Sequence, residues 1–276
     1  MLDGPPGHPG ASVTTALAAL LGAIQGITEF LPISSKTHLV VVPALLGEDP
    51  PSLAFIVLLH LGTLVALFAY FARDLLKILG DLGRPGSEGR RTAAFLVVGT
   101  IPAAIIGLLF EETFERLLQH PREVAFALVI TTVVLVAAEW ISGTIGGRRR
   151  LARPLRETPT LRDVAGIGVA QAFALLPGIS RSGSTMATGL GLGLRRDTTA
   201  RFSFLLAIPA ITGANVIKLP EVVGDGIGTP EAVGFAAALV FGYASVAVLL
   251  RYLRRWNFLP FAAYCLVFSL VAGSTL

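Results

Sequence analysis

The sequence predicts an all-α protein that crosses a membrane several times. Hydrophobic residues make up 53% of its 276 residues and charged residues only 14%, whereas soluble domains carry about 25% charged residues. Several apolar runs approach the roughly 20 residues that a helix needs to cross a bilayer. The 30 glycines and 17 prolines lie mostly inside apolar stretches, which indicates closely packed and interrupted helices. A water-soluble globular protein is excluded.

Eight apolar runs define the predicted helices. They are residues 13–31, 52–72, 91–110, 123–141, 162–177, 199–219, 231–250 and 257–274. The first run ends in the polar loop 32–35 and the fifth in the polar loop 177–182, and a second short helix follows each loop. This pattern is typical of a re-entrant hairpin. We therefore expect an all-α polytopic membrane protein with six transmembrane helices and two re-entrant helix-loop-helix hairpins.

Lysine and arginine are distributed unevenly among the loops, and cytoplasmic loops collect positive charge. The loops rich in these residues are 73–91, 144–162, 195–201 and 251–255. Residues 1–12 and 220–230 contain none, and 111–122 offset two arginines with three glutamates. The pattern places both termini and these acidic or uncharged loops outside, and the basic loops in the cytoplasm. No signal peptide is expected, since no positive charge precedes the first run.

The two halves of the chain are similar at an offset of 146 residues. The offset superposes Gly22, Gln25, Ile33 and Ser34 on Gly168, Gln171, Ile179 and Ser180. A hairpin plus three crossings inverts the second copy, an architecture typical of transporters. We expect one integral membrane domain, 1–276, with inverted-topology repeat halves 11–143 and 162–276 joined by a basic cytoplasmic loop, 144–161. The alternative is two unrelated motifs for small-residue helix packing.

The first hairpin concentrates polar side chains at membrane depth. Glu29 lies four residues after Gln25, so both face the same side of a helix, one turn apart. An acid buried there requires a partner or a function; the alternative is a helix end at the lipid headgroups. The hairpin continues with Ser34, Ser35, Lys36, Thr37 and His38. One of the two serines is expected to cap the second short helix, whose amide groups then face the loop.

The second hairpin surrounds one arginine with hydroxyl groups. Its residues are Ser180, Arg181, Ser182, Ser184 and Thr185, again at the start of a short helix. A guanidinium with neighbouring hydroxyls and helix amide groups is suited to a phosphate or diphosphate. The alternative is an interfacial arginine that extends to the headgroups.

Together the loops supply the groups of metal-assisted phosphoryl transfer: a carboxylate for a divalent ion, an imidazole, hydroxyls and an arginine. Other candidates are weaker. We interpret His60 and Cys265 as packing residues and Glu139 as a marker of the membrane interface. The sequence has no phosphate-binding glycine loop, dinucleotide fingerprint or HExxH motif. Nucleotide-driven pumping and zinc proteolysis therefore have no support.

Two long motifs resemble the signature regions of the bacterial undecaprenyl-diphosphate phosphatases, the bacitracin-resistance (BacA-type) membrane family. They are Gln25-Gly26-Ile27-Thr28-Glu29-Phe30-Leu31-Pro32-Ile33-Ser34-Ser35 with His38, and Pro177-Gly178-Ile179-Ser180-Arg181-Ser182-Gly183-Ser184-Thr185. The likeness continues through 202–209 and 251–253 and covers nearly the whole chain. It implies hydrolysis of the C55 isoprenoid diphosphate to its monophosphate, with Mg²⁺ or Ca²⁺, outside the cytoplasmic membrane. This reaction recycles the lipid carrier for peptidoglycan synthesis and confers bacitracin resistance.

The resemblance also assigns site residues by position. The acidic motif falls on Gln25 and Glu29, the serine pair on Ser34 and Ser35, the histidine on His38 and the phosphate-binding arginine on Arg181. The family pattern allows glutamine at the first position, so Glu29 alone supplies the metal carboxylate. Lys36 and Thr37 depart from the small uncharged pair expected there. Lys36 would join the phosphate clamp, replace part of the metal charge, or extend outward.

These observations give one mechanistic hypothesis. A prenyl chain lies between helices while its diphosphate enters a pocket open to the periplasmic side of the bacterial cytoplasmic membrane. The groups expected to bind the phosphate oxygens belong to Arg181, Ser180, Ser182, Ser34, Thr185 and Lys36. Ser35, or a water on a metal held by Glu29, attacks the terminal phosphorus, with His38 as general base one helical turn from Ser35.

The rival hypothesis is a translocase, or flippase, that moves undecaprenyl phosphate through the same pocket without cleaving it. A scaffold for cell-wall enzymes is disfavoured by the polar residues at membrane depth. The expected partners are the C55 lipid diphosphate and the bilayer, and no nucleic acid. A homodimer stays open at this stage.

Overall fold

The computed structural model describes residues 13–146, 155–225 and 227–276, and for residues 219–225 it describes the backbone alone. The predictions for residues 1–12 and for most of the 144–161 loop therefore lie outside the described residues. The described part is helical, with these bounds: α1 Thr15–Phe30, α2 Ser35–Leu46, α3 Leu53–Tyr70, α4 Ala72–Asp81, α5 Glu88–Leu118, α6 Pro121–Ile141, α7 Leu161–Phe173, α8 Arg181–Gly191, α9 Arg196–Asp225, α10 Thr229–Leu253 and α11 Leu259–Thr275.

Five of these helices are long and apolar enough to cross a membrane: α3, α5, α6, α10 and residues Arg196–Lys218 of α9. Helix α11 is also apolar and has 17 residues, whereas α1 has 16 and α2 has 12. Large apolar side chains on the outer faces are exposed, such as Leu109 at 70% and Val248 at 66%, as expected for surfaces that face lipid. The prediction of an all-helical, multi-pass membrane protein is confirmed.

Two pairs of short helices form hairpins whose loops enter the centre of the bundle. The first loop joins α1 to α2 at residues 31–34, and the second joins α7 to α8 at residues 174–180. Gly178 has φ +92°, and a Cβ atom there would lie 2.8 Å from the Val124 carbonyl oxygen, so only glycine fits this turn. Ser180 N–H donates to Thr131 Oγ1 at 2.9 Å, which fixes the second loop to α6.

Small residues let the first helix of each hairpin approach a helix of the other half. Helix α1 packs most extensively against α10, and α7 packs against α5. A Cβ atom on Gly26 would lie 2.7 Å from the Gly242 nitrogen, and one on Gly168 would lie 2.8 Å from the Gly99 carbonyl oxygen. Helix α3 packs against α9, and α6 against α11. Each contact therefore joins residues on opposite sides of the 144–161 loop.

Glu139, interpreted from the sequence as a marker of the membrane interface, has a fully buried side chain. It pairs with Arg196 at the start of α9 and accepts a hydrogen bond from Phe258 N–H at 2.8 Å. A buried carboxylate that is paired and hydrogen-bonded in this way ties α6 to the ends of α9 and α11.

Candidate active site

The two hairpin loops meet through an ion pair. Arg181 Nη2 lies 2.6 Å from Glu29 Oε1, and the side chains are 15% and 7% exposed. Ser182 Oγ donates to the Leu31 carbonyl oxygen at 2.9 Å, a second link between the loops. The structure thus brings together the carboxylate of the first half and the guanidinium of the second, the juxtaposition on which the sequence hypothesis depends.

The other carboxylate oxygen of Glu29 collects the polar groups of the first hairpin. Ser35 Oγ donates to Glu29 Oε2 at 2.6 Å, and Gln25 Nε2 donates to the same oxygen at 3.1 Å. Glu29 follows Gln25 by one turn of α1, while Ser35 is the first residue of α2. The loop therefore folds back so that a serine hydroxyl lies against a carboxylate, the arrangement of a nucleophile beside its base.

One nitrogen of the Arg181 guanidinium lacks a hydrogen-bond partner among the described residues. Its Nη1 atom is buried and has no hydrogen-bond partner in the described part of the chain, while Nη2 is held by Glu29. Because a buried donor without an acceptor is costly, Nη1 marks a position for an incoming anion. The guanidinium fork matches phosphate oxygens in both geometry and charge.

The amino ends of α2 and α8 also point into this region, and their caps differ. Ser180 Oγ accepts from Gly183 N–H at 3.1 Å and caps α8. Ser34 occupies the cap position of α2, but its side chain makes no cap hydrogen bond and instead accepts from Thr37 Oγ1 at 2.9 Å. The first-turn amides of α2 therefore have no side-chain cap, and they favour an anion.

His38 lies in a different environment from the one expected. Its Nδ1 atom is 2.8 Å from the Ser34 carbonyl oxygen and its Nε2 atom is 2.7 Å from Tyr264 Oη. A carbonyl oxygen only accepts, so Nδ1 carries the hydrogen and Nε2 accepts from Tyr264. The structure does not bring His38 into contact with Ser35. Instead, His38 holds the carbonyl of Ser34, whose φ of +68° is strained for a non-glycine residue.

Thr185 also faces away from the loops' meeting point. Its Oγ1 atom lies 2.6 Å from Ser203 Oγ on α9 and 2.9 Å from the Arg181 carbonyl oxygen. Thr185 does not line the cavity described below. Its hydroxyl anchors the start of α8, and with it the backbone of Arg181, to the neighbouring span.

A cavity of about 420 Å³ opens beside the ion pair, and its wall is mostly apolar. Among the residues predicted for the site, the lining includes Glu29, Ser34, Ser35, Lys36, Ser180, Arg181 and Ser182. Gln25 lies behind Glu29, outside the lining. Farther along, Lys218 Nζ on α9 lies 2.6 Å from Glu111 Oε1 and 2.8 Å from Glu115 Oε1 on α5. Apolar walls with a few convergent polar groups are typical of a site for an amphipathic ligand.

His60 is a site residue that sequence reasoning missed. It lines the cavity from α3, and its Nε2 atom lies 3.6 Å from Glu29 Oε2. Its Nδ1 atom bonds the Ile56 carbonyl oxygen at 2.8 Å, so the interpretation as a hydrogen-bonded helix residue describes only one side of the ring. The available signal was an ionisable residue inside an apolar span, which by itself indicates a functional position.

The donor set around Glu29 is compatible with a hard divalent cation. The described residues contain no cluster of three or more His, Cys, Asp or Glu side chains. However, Mg²⁺ in phosphoryl-transfer sites is commonly held by one or two protein carboxylates together with substrate phosphates. Glu29 supplies the carboxylate, and the Gln25 Oε1 atom is buried without a partner among the described residues. As placed, Gln25 Nε2 faces Glu29, so Oε1 would join the carboxylate in holding Mg²⁺ or Ca²⁺ only after a half-turn of the amide.

Known proteins are similar to this chain over most of its length. A family described as "Bacitracin resistance protein BacA" matches residues 18–271. An "Undecaprenyl-diphosphatase" of Rubrobacter xylanophilus is 42% identical over 90% of this chain and 93% of its own length. A protein of the same name from Geobacter sulfurreducens is 42% identical over 91% of this chain and 94% of its own length. One from Moorella thermoacetica is 40% identical over 91% and 94%. The chain is therefore a member of the bacitracin resistance protein BacA family.

Proposed function

We propose that this protein hydrolyses undecaprenyl diphosphate to undecaprenyl phosphate and inorganic phosphate. The relatives' shared name supports the reaction. The observation in the molecule that carries the proposal is the Glu29 carboxylate, which holds the Ser35 hydroxyl on one oxygen and Arg181 on the other. A nucleophile, its base and an anion-binding guanidinium then lie at one end of a cavity with apolar walls.

The chemistry follows from these contacts. Ser35 Oγ transfers its proton to Glu29 and forms a bond to the terminal phosphorus, while the bond from that phosphorus to the bridging oxygen breaks. The prenyl monophosphate leaves, and Arg181 holds the negative charge that develops on the phosphoryl oxygens. Water then bonds to the phosphorus of the serine phosphate as the bond to Ser35 Oγ breaks. The proton held by Glu29 returns to Ser35 Oγ, and both water protons leave with the inorganic phosphate. Positioning and charge stabilisation supply most of the rate.

A divalent cation completes the proposal. Glu29 and Gln25 would hold it, and when bound it neutralises charge on the phosphoryl group. Ser180 and Ser182, together with the α2 amide groups and Lys36, contact the remaining oxygens. Ser34 takes part through its place at the start of α2, and Thr185 acts by anchoring α8.

The proposed topology has six transmembrane helices and two re-entrant hairpins in inverted halves. If each helix is replaced by its counterpart in the other half, the α1–α10 contact becomes the α7–α5 contact. The α3–α9 and α6–α11 contacts each join two counterparts and stay the same. This symmetry supports the repeat. The distribution of the basic loops supports a cavity that opens on the outer side of the cytoplasmic membrane. The apolar walls between α3, α5 and α9 would take the prenyl chain.

Phosphate release from C55 diphosphate by the purified protein in detergent tests this function. We expect release that requires Mg²⁺ or Ca²⁺ and that is lost in Glu29→Gln. A translocase would bind the lipid without releasing phosphate. If the wild-type protein bound the lipid but released no phosphate with any divalent ion tried, the hydrolase would be refuted.

His38 gives a prediction that separates positioning from proton transfer. Because its ring holds Ser34 and not Ser35, His38→Ala should lower kcat about 10- to 100-fold, while the pH–rate profile keeps its shape. The Tyr264→Phe variant removes only the hydroxyl on Nε2 and should stay within about threefold of wild type. A pH profile that loses its acidic limb in His38→Ala would instead identify His38 as the base.

Lys36 departs from the family pattern, and its position gives a second prediction. Its side chain lines the cavity with Glu29 and Arg181, so the ammonium group adds to the attraction for a diphosphate. Lys36→Thr should raise KM about tenfold, which corresponds to about 1.4 kcal/mol of binding, and change kcat little. Lys77→Thr, which removes an exposed lysine paired with Glu88, is the matched control. An unchanged KM in Lys36→Thr would show that the ammonium extends away from the substrate.

A further inference from the structure

His60 carries an interaction that the proposed reaction does not use. Its Nδ1–H donates to the Ile56 carbonyl oxygen at 2.8 Å, so a neutral ring carries its lone pair on Nε2. That lone pair faces Glu29 Oε2 at 3.6 Å, and both atoms are acceptors. A histidine whose far nitrogen donates to a backbone carbonyl, leaving Nε2 open, has the arrangement usual for a metal ligand.

Gln25 approaches the same carboxylate oxygen from α1. As placed, its Nε2 lies 3.1 Å from Glu29 Oε2, and its Oε1 is buried with no hydrogen-bond partner in the regions that the structure describes. A half-turn of the amide would exchange the two atoms and direct Oε1 at the carboxylate. Glu29 Oε2 would then have an amide oxygen on one side and an imidazole nitrogen on the other, an arrangement that a shared cation stabilises.

The separation of His60 from Glu29 suits two ligands of one ion. Ligand bonds of about 2.1 Å place neighbouring ligands about 3.0 Å apart at octahedral angles and about 3.4 Å apart at tetrahedral angles. The 3.6 Å between His60 Nε2 and Glu29 Oε2 needs only a small adjustment. The Arg181 guanidinium lies on the opposite oxygen, Oε1, so a cation on Oε2 would have Ser35 Oγ, and not the guanidinium, as its neighbour.

We infer that His60 Nε2 is a direct ligand of the catalytic cation, together with Glu29 and Gln25. The inference deepens the metal site of the proposed function and rests on it. A nitrogen ligand favours transition ions over Ca²⁺, which takes oxygen ligands. The site of this chain should therefore bind Mn²⁺ more tightly than Ca²⁺, and His60 should be responsible for the difference.

Mn²⁺ binding to the purified full-length protein in detergent, without substrate, tests this inference. Pulsed electron paramagnetic resonance should detect coupling of bound Mn²⁺ to an imidazole nitrogen. His60→Gln should abolish that coupling and weaken Mn²⁺ binding about tenfold or more, while Ca²⁺ affinity, measured by calorimetry, changes less than about threefold. His120→Gln is the matched control, because His120 is exposed before α6 and makes no side-chain cap hydrogen bond, and it should retain both the coupling and the affinity.

Two outcomes overturn the inference. One is Mn²⁺ that binds to the wild type without nitrogen coupling, and the other is nitrogen coupling that persists in His60→Gln. The first result would mean that His60 Nε2 is not a ligand of the ion. A His60→Gln protein that elutes as wild type on size exclusion and keeps its Tm, yet loses the coupling, supports it. Phosphate release is measured separately. A wild-type protein that releases phosphate but shows no nitrogen coupling refutes only the role of His60, and a wild-type protein that shows coupling without release refutes only the hydrolase.

Discussion

Replacing Ser35 with alanine should reduce phosphate release from C55 diphosphate by about 10⁴-fold or more, the scale of nucleophile removal in enzymes with covalent intermediates. The reason is the 2.6 Å hydrogen bond from Ser35 Oγ to Glu29 Oε2, which directs the hydroxyl proton at a carboxylate. Both side chains are buried, so little water competes with the hydroxyl for this base. Initial rates with saturating substrate and metal measure the effect.

Ser34→Ala is the matched control for Ser35→Ala. Ser34 is the preceding residue, equally buried, and its hydroxyl accepts only from Thr37, so its loss should cost less than about tenfold. A second measurement detects the intermediate: acid quenching of a reaction with substrate labelled in the terminal phosphate should leave label on wild-type protein and none on Ser35→Ala. Wild-type turnover in Ser35→Ala would assign the attack to water instead.

The meeting of the hairpins could be predicted because it depends on local signals. Glu29 lies near the end of an apolar run, just before a proline-containing loop, and Arg181 lies in the proline-containing loop that follows another apolar run. Opposed hairpins that bring the two side chains together neutralise both charges inside the bundle. The spans could be predicted for a similar reason, since the length of an apolar run directly reflects bilayer thickness. The side of the cavity that Glu29 and Arg181 form could therefore be predicted from the sequence.

The two histidines could not be placed in this way, because their orientation depends on distant helices. The His38 ring is turned towards Tyr264 on α11, a contact across 226 residues that no spacing rule contains. His60 faces the cavity because α3 is rotated by its close contact with α10, where a Cβ atom on Gly62 would lie 2.7 Å from the Phe235 carbonyl oxygen. Helix rotation of this kind is set by packing and not by local sequence.

Replacing Arg181 with lysine should lower kcat/KM about 10³-fold, although the positive charge is retained. The guanidinium has two tasks: Nη2 pairs with Glu29 Oε1 at 2.6 Å, and Nη1, buried without a hydrogen-bond partner in the described part of the chain, is the donor that we assign to the substrate. An ammonium group is a single point charge and lacks the planar fork, so it would satisfy either the carboxylate or the phosphate. The loss should appear in kcat as well as in KM, since charge on the phosphoryl oxygens grows in the transition state.

Arg195→Lys controls for arginine loss in general, because Arg195 is an exposed residue paired with Glu157 and Asp197, and it should keep wild-type kinetics.

Arg181→Ala adds a sharper test, since the truncation leaves space for a free guanidinium ion between Glu29 and the phosphate. Added guanidine should restore activity to Arg181→Ala by about tenfold or more, and ammonium ions of equal concentration should not. Two results together would contradict this role: no rescue in an Arg181→Ala protein that retains its fold, and near-normal kinetics in Arg181→Lys. They would mean that Arg181 only holds the two hairpins together and never contacts the diphosphate.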